Sequence, residues 1–177
     1  MFNKDFKCIP PESRHDARET ALQVLYALEL SQNSLSVVFK DLMPKCENPP
    51  PAFIYAKKLI ETTFQERNKF DAYIRSHSAN WRYDRIAIID LIILRIAICE
   101  FIHFSDVPTK VTIDEALELA KRFSTQKSSM YINGMLDVVL VDLNEKKLVA
   151  KSGRGTLDKQ SKKKNDRKPG KPKSRSK

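Results

Sequence analysis

Glycine all but disappears from the first 144 residues of this 177-residue chain, where Gly134 is the single example. Strand-rich domains use glycine at hairpin turns and bulges, so its scarcity points to helices. Proline supplies the breaks instead. Pro10-Pro11, Pro44, Pro49-Pro50-Pro51 and Pro108 divide the chain into segments of helical length. Within them apolar residues step by three and four, as the buried face of a helix requires. Ala17, Ala21, Val24, Leu25 and Leu28 form one such face. Phe53, Ala56, Leu59, Ile60 and Phe64 form another, and a short helix is expected around Phe70–Ile74. Ile113, Ala116, Leu117, Ala120 and Phe123 line a third, and Ile132, Met135, Leu136, Val139 and Leu140 a fourth. With a short segment at "SLSVVFKDLM", the pattern predicts an all-α fold of about seven helices.

Two helix starts carry capping signals. Ser13 precedes Asp16 by three residues, and Thr112 precedes Glu115 by three, the spacing of a capping box. Asn133-Gly134 is a hairpin signal only between alternating flanks. Its flanks are helical, so the glycine is expected to let another helix approach. Glu118 and Arg122 are placed to pair at i, i+4.

The run "IAIIDLIILRIAICEFIHF", residues 86–104, has 15 apolar residues in 19. Asp90, Arg95 and Glu100 interrupt it on different sides. Each charge costs about 2.5–3.5 kcal/mol at the centre of a bilayer on insertion scales. A central helix wrapped by its neighbours fits better than a membrane span. Arg95 then needs a carboxylate, from Glu100 or from another helix, because an unpaired buried charge is expensive.

Charge is unevenly divided. Residues 145–177 hold 14 Lys/Arg and 3 Asp/Glu, whereas residues 1–144 hold 18 and 19. The net charge of +10 is therefore a property of the tail. That tail is too polar to offset its chain entropy by burial and is expected to be disordered. Cys8, Cys46 and Cys99 are scattered, as are His15, His77 and His103, so no metal site is expected and the cysteines suit a reducing compartment. No phosphate-binding glycine loop, nucleophile elbow or paired-carboxylate motif occurs. The acidic residues of "DEALE" read as a solvated face. The chain is expected to be no enzyme, to need no cofactor, and, lacking a signal core or lipidation pattern, to be cytoplasmic. Physics alone describes a helical binding module with a cationic tail.

Four segments carry a sharper signal. "ARETALQVLYALELS" (residues 17–31), "IIDLIILRIAICEF" (88–101), "DVPTKVTIDEALELAKRFS" (106–124) and "YINGMLDVV" (131–139) resemble, in order and spacing, the bacterial NusB family. The resemblance covers the globular part, about residues 13–142. It implies two helical bundles, divided here into residues 13–80 and 81–144, between an N-terminal arm (1–12) and the tail (145–177). It also implies a non-catalytic transcription antitermination factor. Such proteins pair with the ribosomal protein NusE, bind boxA RNA in nascent ribosomal RNA leaders, and join a complex on RNA polymerase.

The family's first helix carries an arginine-rich run that faces RNA. The matching positions here are Arg14, His15 and Arg18, with Asp16 where a third arginine is common. Arg14 and Arg18 are expected to share an exposed stripe. The helix dipole disfavours cations at this end by at most about 1 kcal/mol at the surface, little beside charge-assisted phosphate contacts. Lys127 stands where the family often has acidic residues, and should favour RNA. Tyr131 reads either as a base-stacking ring or as a core aromatic with a surface hydroxyl. Tyr26 and Asp90 match positions facing NusE; for Asp90 an intramolecular ion pair is the other reading. The remaining alternative is a helical protein-interaction module whose tail binds RNA without specificity.

Overall fold

The computed structural model describes residues 10–43, 45–78 and 83–149. The N-terminal arm up to residue 9, Trp81, and the basic tail from residue 150 lie outside the described residues; residues 145–149, expected to be disordered with the rest of the tail, are instead ordered and close the last helix. Among the described residues all regular structure is helical. Helices α1 (Arg14–Ser31), α2 (Leu35–Leu42), α3 (Pro51–Gln65) and α4 (Arg67–His77) come first. A 3-10 turn (Tyr83–Arg85) leads into α5 (Ile88–His103), α6 (Thr109–Phe123) and α7 (Gln126–Glu145).

Local chemistry explains most boundaries. Ser13 and Asp16 form the expected capping box: the Asp16 amide donates to the Ser13 hydroxyl at 3.1 Å, and the Ser13 amide donates to the Asp16 carboxylate at 3.0 Å. Pro51 occupies the first turn of α3, where its missing N–H has no helical partner to lose. Thr125 caps α7 by accepting from the Ser128 amide at 3.2 Å. The far end of α7 closes without glycine. Lys147 takes the left-handed conformation, its amide donates to Asn144 and the Leu148 amide to Leu143, the two bonds of a Schellman cap.

Two groups of helices share α5. One comprises α1, α2 and α3, with α1 and α3 packed on α5; the other comprises α4, α6 and α7, each packed on α5. A division near residue 80 assigns α4 to the first group, but α4 packs chiefly on α5 and α7. Helix α5 is buried over nearly its whole circumference, from Ile92 through Phe101, which accounts for a run apolar on every side. Among the described residues no helix is long and apolar enough to cross a membrane. Cys99 sits in this core, where burial pushes its thiol up to about 12.

The charges of α5 are answered by other helices. Arg95 forks onto Asp71 of α4 (2.7 and 2.8 Å) and also reaches Glu29 of α1. Its partner is therefore on another helix, and Glu100 is engaged elsewhere.

Three local expectations are corrected. Thr112 caps nothing: α6 starts three residues earlier, after Pro108, and the Thr112 hydroxyl points inward. Glu118 pairs with Lys121 rather than Arg122, which crosses to Glu19 of α1. Gly134 is exposed, and a side chain there would meet nothing within 4 Å. Among the described residues nothing packs against it. Gly134→Ala should therefore raise stability by about 1 kcal/mol through helix propensity alone, read as a higher urea midpoint at unchanged slope. A loss of stability would show that the glycine is needed within the fold.

Candidate nucleic-acid interface

The start of α1 is built on a buried carboxylate. Glu100 has no solvent exposure. It accepts from Arg18 Nε at 2.6 Å and Nη2 at 3.3 Å, from Thr112 Oγ1 at 2.8 Å, and from the Tyr55 hydroxyl. Four donors from α1, α3 and α6 thus converge on one side chain of α5. Burial and the Glu100 charge hold the Tyr55 hydroxyl far above its ordinary range. For Arg18 burial disfavours the charge, but Glu100 more than offsets it and the guanidinium is held above its usual value.

Arg18 is consequently 3% exposed. The expectation that it shares an exposed stripe with Arg14 is corrected. Arg18 stands at i, i+3, i+4 and i+7 with Ala21, Leu22 and Leu25, all buried, so it lies on the core face. That spacing, together with the need of Glu100 for a partner, was the signal in the sequence. The Arg18 guanidinium also contacts Glu115 at 3.3 Å and donates to the Arg14 carbonyl at 3.3 Å. It supports the helix start from beneath.

Arg14 is an exposed cation of this end. It pairs with Asp106 in the turn before α6 and lies 4.9 Å from the centre of the Tyr55 ring. Both partners of that ion pair are about half exposed, so the bond is worth roughly 0–1 kcal/mol and is easily exchanged for another anion. His15 sits between Glu115 (2.9 Å from Nδ1) and Glu19 (3.3 Å from Nε2). The hydrogen bond to Glu115, aided by both carboxylate charges, raises its pKa above the ordinary 6.5. Glu115 of "DEALE" is thus no solvated acid but a partner of α1.

The other expected residues lie elsewhere. Asp90 is in the first turn of α5, ten residues or about 15 Å of helix from Glu100. It is 6% exposed, and its Oδ1 has no hydrogen-bond partner among the described residues. It is neither an exposed charge nor, among those residues, half of an ion pair. Tyr131 is half-buried with its ring against the core. Its hydroxyl pKa is raised by burial, moderated by a hydrogen bond to Ser78, and raised again by Asp90. Tyr131 therefore lies at the Asp90 end of the molecule, with its ring against the core and its hydroxyl buried rather than at the surface. Lys127 is exposed one turn earlier on α7. Tyr26 is half-buried near the end of α1, twelve residues or about 18 Å along the helix from Arg14. The candidate residues thus fall into two clusters, Arg14 with His15 and Asp90 with Tyr131.

The sequence matches the NusB family over residues 15–140. The chain belongs to that family. It is 42% identical to the transcription antitermination protein NusB of Chloroherpeton thalassium, over 85% of this chain and 72% of that protein. With the Salinibacter ruber protein of the same name it shares 37% identity, over 82% and 91% of the two chains. T. maritima NusB superposes with a TM-score of 0.67 at 27% identity, over 73% of this chain and 92% of that one. A NusB chain solved with NusE and double-stranded RNA gives 0.64 at 25% identity, over 73% and 96%. As a member of that family the chain is a transcription antitermination factor, not an enzyme, and acts through binding surfaces.

Arg18→Ala should strip Glu100 of its counter-charge and cost about 3–5 kcal/mol, the range for breaking a buried pair. Arg14→Ala should stay within about 0.5 kcal/mol of the parent, as exposed substitutions do. Chemical denaturation of both variants decides it; equal effects would refute the division. His15 gives a pH signature. Its folded pKa lies above the unfolded one, so its stabilisation is complete below pH 6.5 and fades as pH rises through the raised value. The parent should lose more stability than His15→Gln between pH 6 and 8. Parallel curves would show that the His15 bridge contributes nothing.

Proposed function

We propose that this NusB protein binds boxA-type RNA together with NusE and acts in an RNA polymerase antitermination complex, chiefly on ribosomal RNA transcripts in the cytoplasm. The observation that carries the reading is its likeness, across nearly three quarters of the chain, to a NusB solved with NusE and double-stranded RNA. The geometry supports a division of surfaces. Arg14 and His15 present cationic groups at the start of α1, where phosphate can replace Asp106 and Glu115 as their partner. Arg18 takes part by holding this start in place rather than by touching RNA. Lys127 adds positive charge at the start of α7.

We assign NusE to the surfaces of Tyr26, toward the far end of α1, and of Asp90, in the first turn of α5. A buried carboxylate oxygen without a donor is costly, and Asp90 Oδ1 lacks one among the described residues. A donor from NusE would satisfy it. Tyr131 beside Asp90 belongs with this surface or with RNA passing along it.

The basic tail supplies affinity without sequence reading, because lysine and arginine contacts to phosphates carry no base information. Residues 150–177 hold 12 Lys/Arg and 2 Asp/Glu. Each phosphate contact on a single strand contributes about −0.7 to the slope of log affinity against log salt. If the tail makes roughly four such contacts, its removal flattens the slope by about 3.

The test titrates the full chain and residues 1–149, each with NusE, against boxA and scrambled RNA over a range of salt. Truncation should weaken both RNAs alike and leave their ratio unchanged or improved. Arg14→Ala in the full chain should weaken RNA binding with its helix content intact. Should the parent with NusE prefer neither RNA, the function is that of a protein-interaction module. Loss of the boxA preference on truncation alone would place specificity in the tail.

A further inference from the structure

Arg14 is not the only cation on this end of the molecule. Its guanidinium lies 4.9 Å from the Tyr55 ring centre, the Tyr55 and Phe104 rings meet edge-on at 5.0 Å, and the Lys58 ammonium lies 5.0 Å from the Phe104 ring. Two exposed cations from α1 and α3 therefore flank one aromatic pair. Lys58 has an acid within reach, Glu61 at i+3, but Glu61 takes Lys57 at 4.0 Å instead. Lys69, Lys121 and Lys146 each hold a carboxylate of their own helix or its cap. Lys58 makes no ion pair among the described residues; its ammonium lies over the Phe104 ring. The aromatic face holds the cation in position and leaves its N–H donors for an anion.

We propose that Lys58 is a second phosphate-binding residue, which with Arg14 forms a two-helix cationic rim that takes the backbone of the bound RNA. The inference rests on the RNA-binding reading above and adds α3 to a surface otherwise confined to α1. The spacing suits the ligand. The two cations are no further apart than the sum of the three separations given, and a nucleic-acid strand presents a phosphate about every 3.4 Å of axis, so one backbone can reach both. An ammonium is a point charge without the planar fork of arginine, so Lys58 should contribute affinity and no base preference.

The experiment uses the full chain with NusE and measures binding of boxA and scrambled single-stranded RNA across salt. The variants are Lys58→Gln, Arg14→Gln, the double variant, and Lys57→Gln as the neighbouring control. Lys58→Gln should weaken both RNAs by roughly tenfold at low salt, the loss expected for one charge-assisted contact. It should also flatten the salt slope by about 0.7. Lys57→Gln should do neither. All three positions are exposed or paired only at the surface, and circular dichroism verifies that each variant is folded. If the parent binds RNA and Arg14→Gln weakens it while Lys58→Gln keeps parental affinity and slope, the rim does not exist and the Arg14 reading stands. If Lys58→Gln instead lowers capture of NusE, Lys58 belongs to a protein interface and the proposal is overturned. If the parent binds neither RNA, the RNA-binding reading fails and takes this inference with it.

Discussion

A carboxylate without solvent access in the middle of an apolar helix is tolerated only where every lone pair finds a donor. Left unsatisfied it would cost several kcal/mol, on the order of the whole net stability of a domain this size. Glu100 meets the condition by drawing Arg18, Tyr55 and Thr112 from three other helices. The consequence is geometric. Apolar contacts alone let helices slide or rotate at little cost, whereas four directed bonds to one carboxylate fix α1, α3 and α6 about α5. Arg18 then donates to the Arg14 carbonyl, so the exposed end of α1 inherits its position from the core.

The second buried charge of α5 repeats this logic on another side. Arg95 and Glu100 are five residues apart, about 140° around the helix at 3.6 residues per turn, and so cannot serve each other. Arg95 takes Asp71 from α4 and Glu29 from α1. Helix α1 is therefore pinned to α5 near both ends, through Arg18 and through Glu29. Its two outer surfaces, Arg14 with His15 and Tyr26, are held at a fixed separation along one rigid element. A protein meant to present two different surfaces at a set distance gains from such a strut.

How much of this was legible in the sequence follows from what each signal measures. Helical periodicity reports which positions of a segment are buried, and it located the faces of α1, α3 and α7; in α6 it found Ala116 and Ala120 but not Leu119. It does not report which neighbour covers them. The Thr112 and Glu115 spacing imitated a capping box, but Thr112 was needed as a donor to Glu100, and α6 began earlier, after Pro108. The charge of Arg18 points outward and its spacing inward; its neighbours Ala21, Leu22 and Leu25 put it inside. The family resemblance supplied the fold and the role. It could not reveal that Asp90 and Tyr131 share one environment, since they lie on helices remote in sequence.

The same network explains how a nearly neutral domain can offer a local cationic site. Around Arg14 and His15 stand Asp16, Glu19, Asp106 and Glu115, enough acid to cancel their charge at a distance. Beyond a Debye length of about 8 Å at physiological salt such a cluster attracts nothing. At contact the balance changes. Asp106 is an exposed partner whose bond to Arg14 is weak, while the deeper acid, Glu100, is committed to Arg18 and cannot compete. A phosphate arriving at short range therefore displaces only a surface carboxylate. Long-range attraction has to come from elsewhere in the chain, and the sequence concentrates it in the last 28 residues, with 12 Lys/Arg against 2 Asp/Glu. Separating the charge that attracts from the charge that positions keeps a folded surface selective, because a globally basic domain would hold any polyanion.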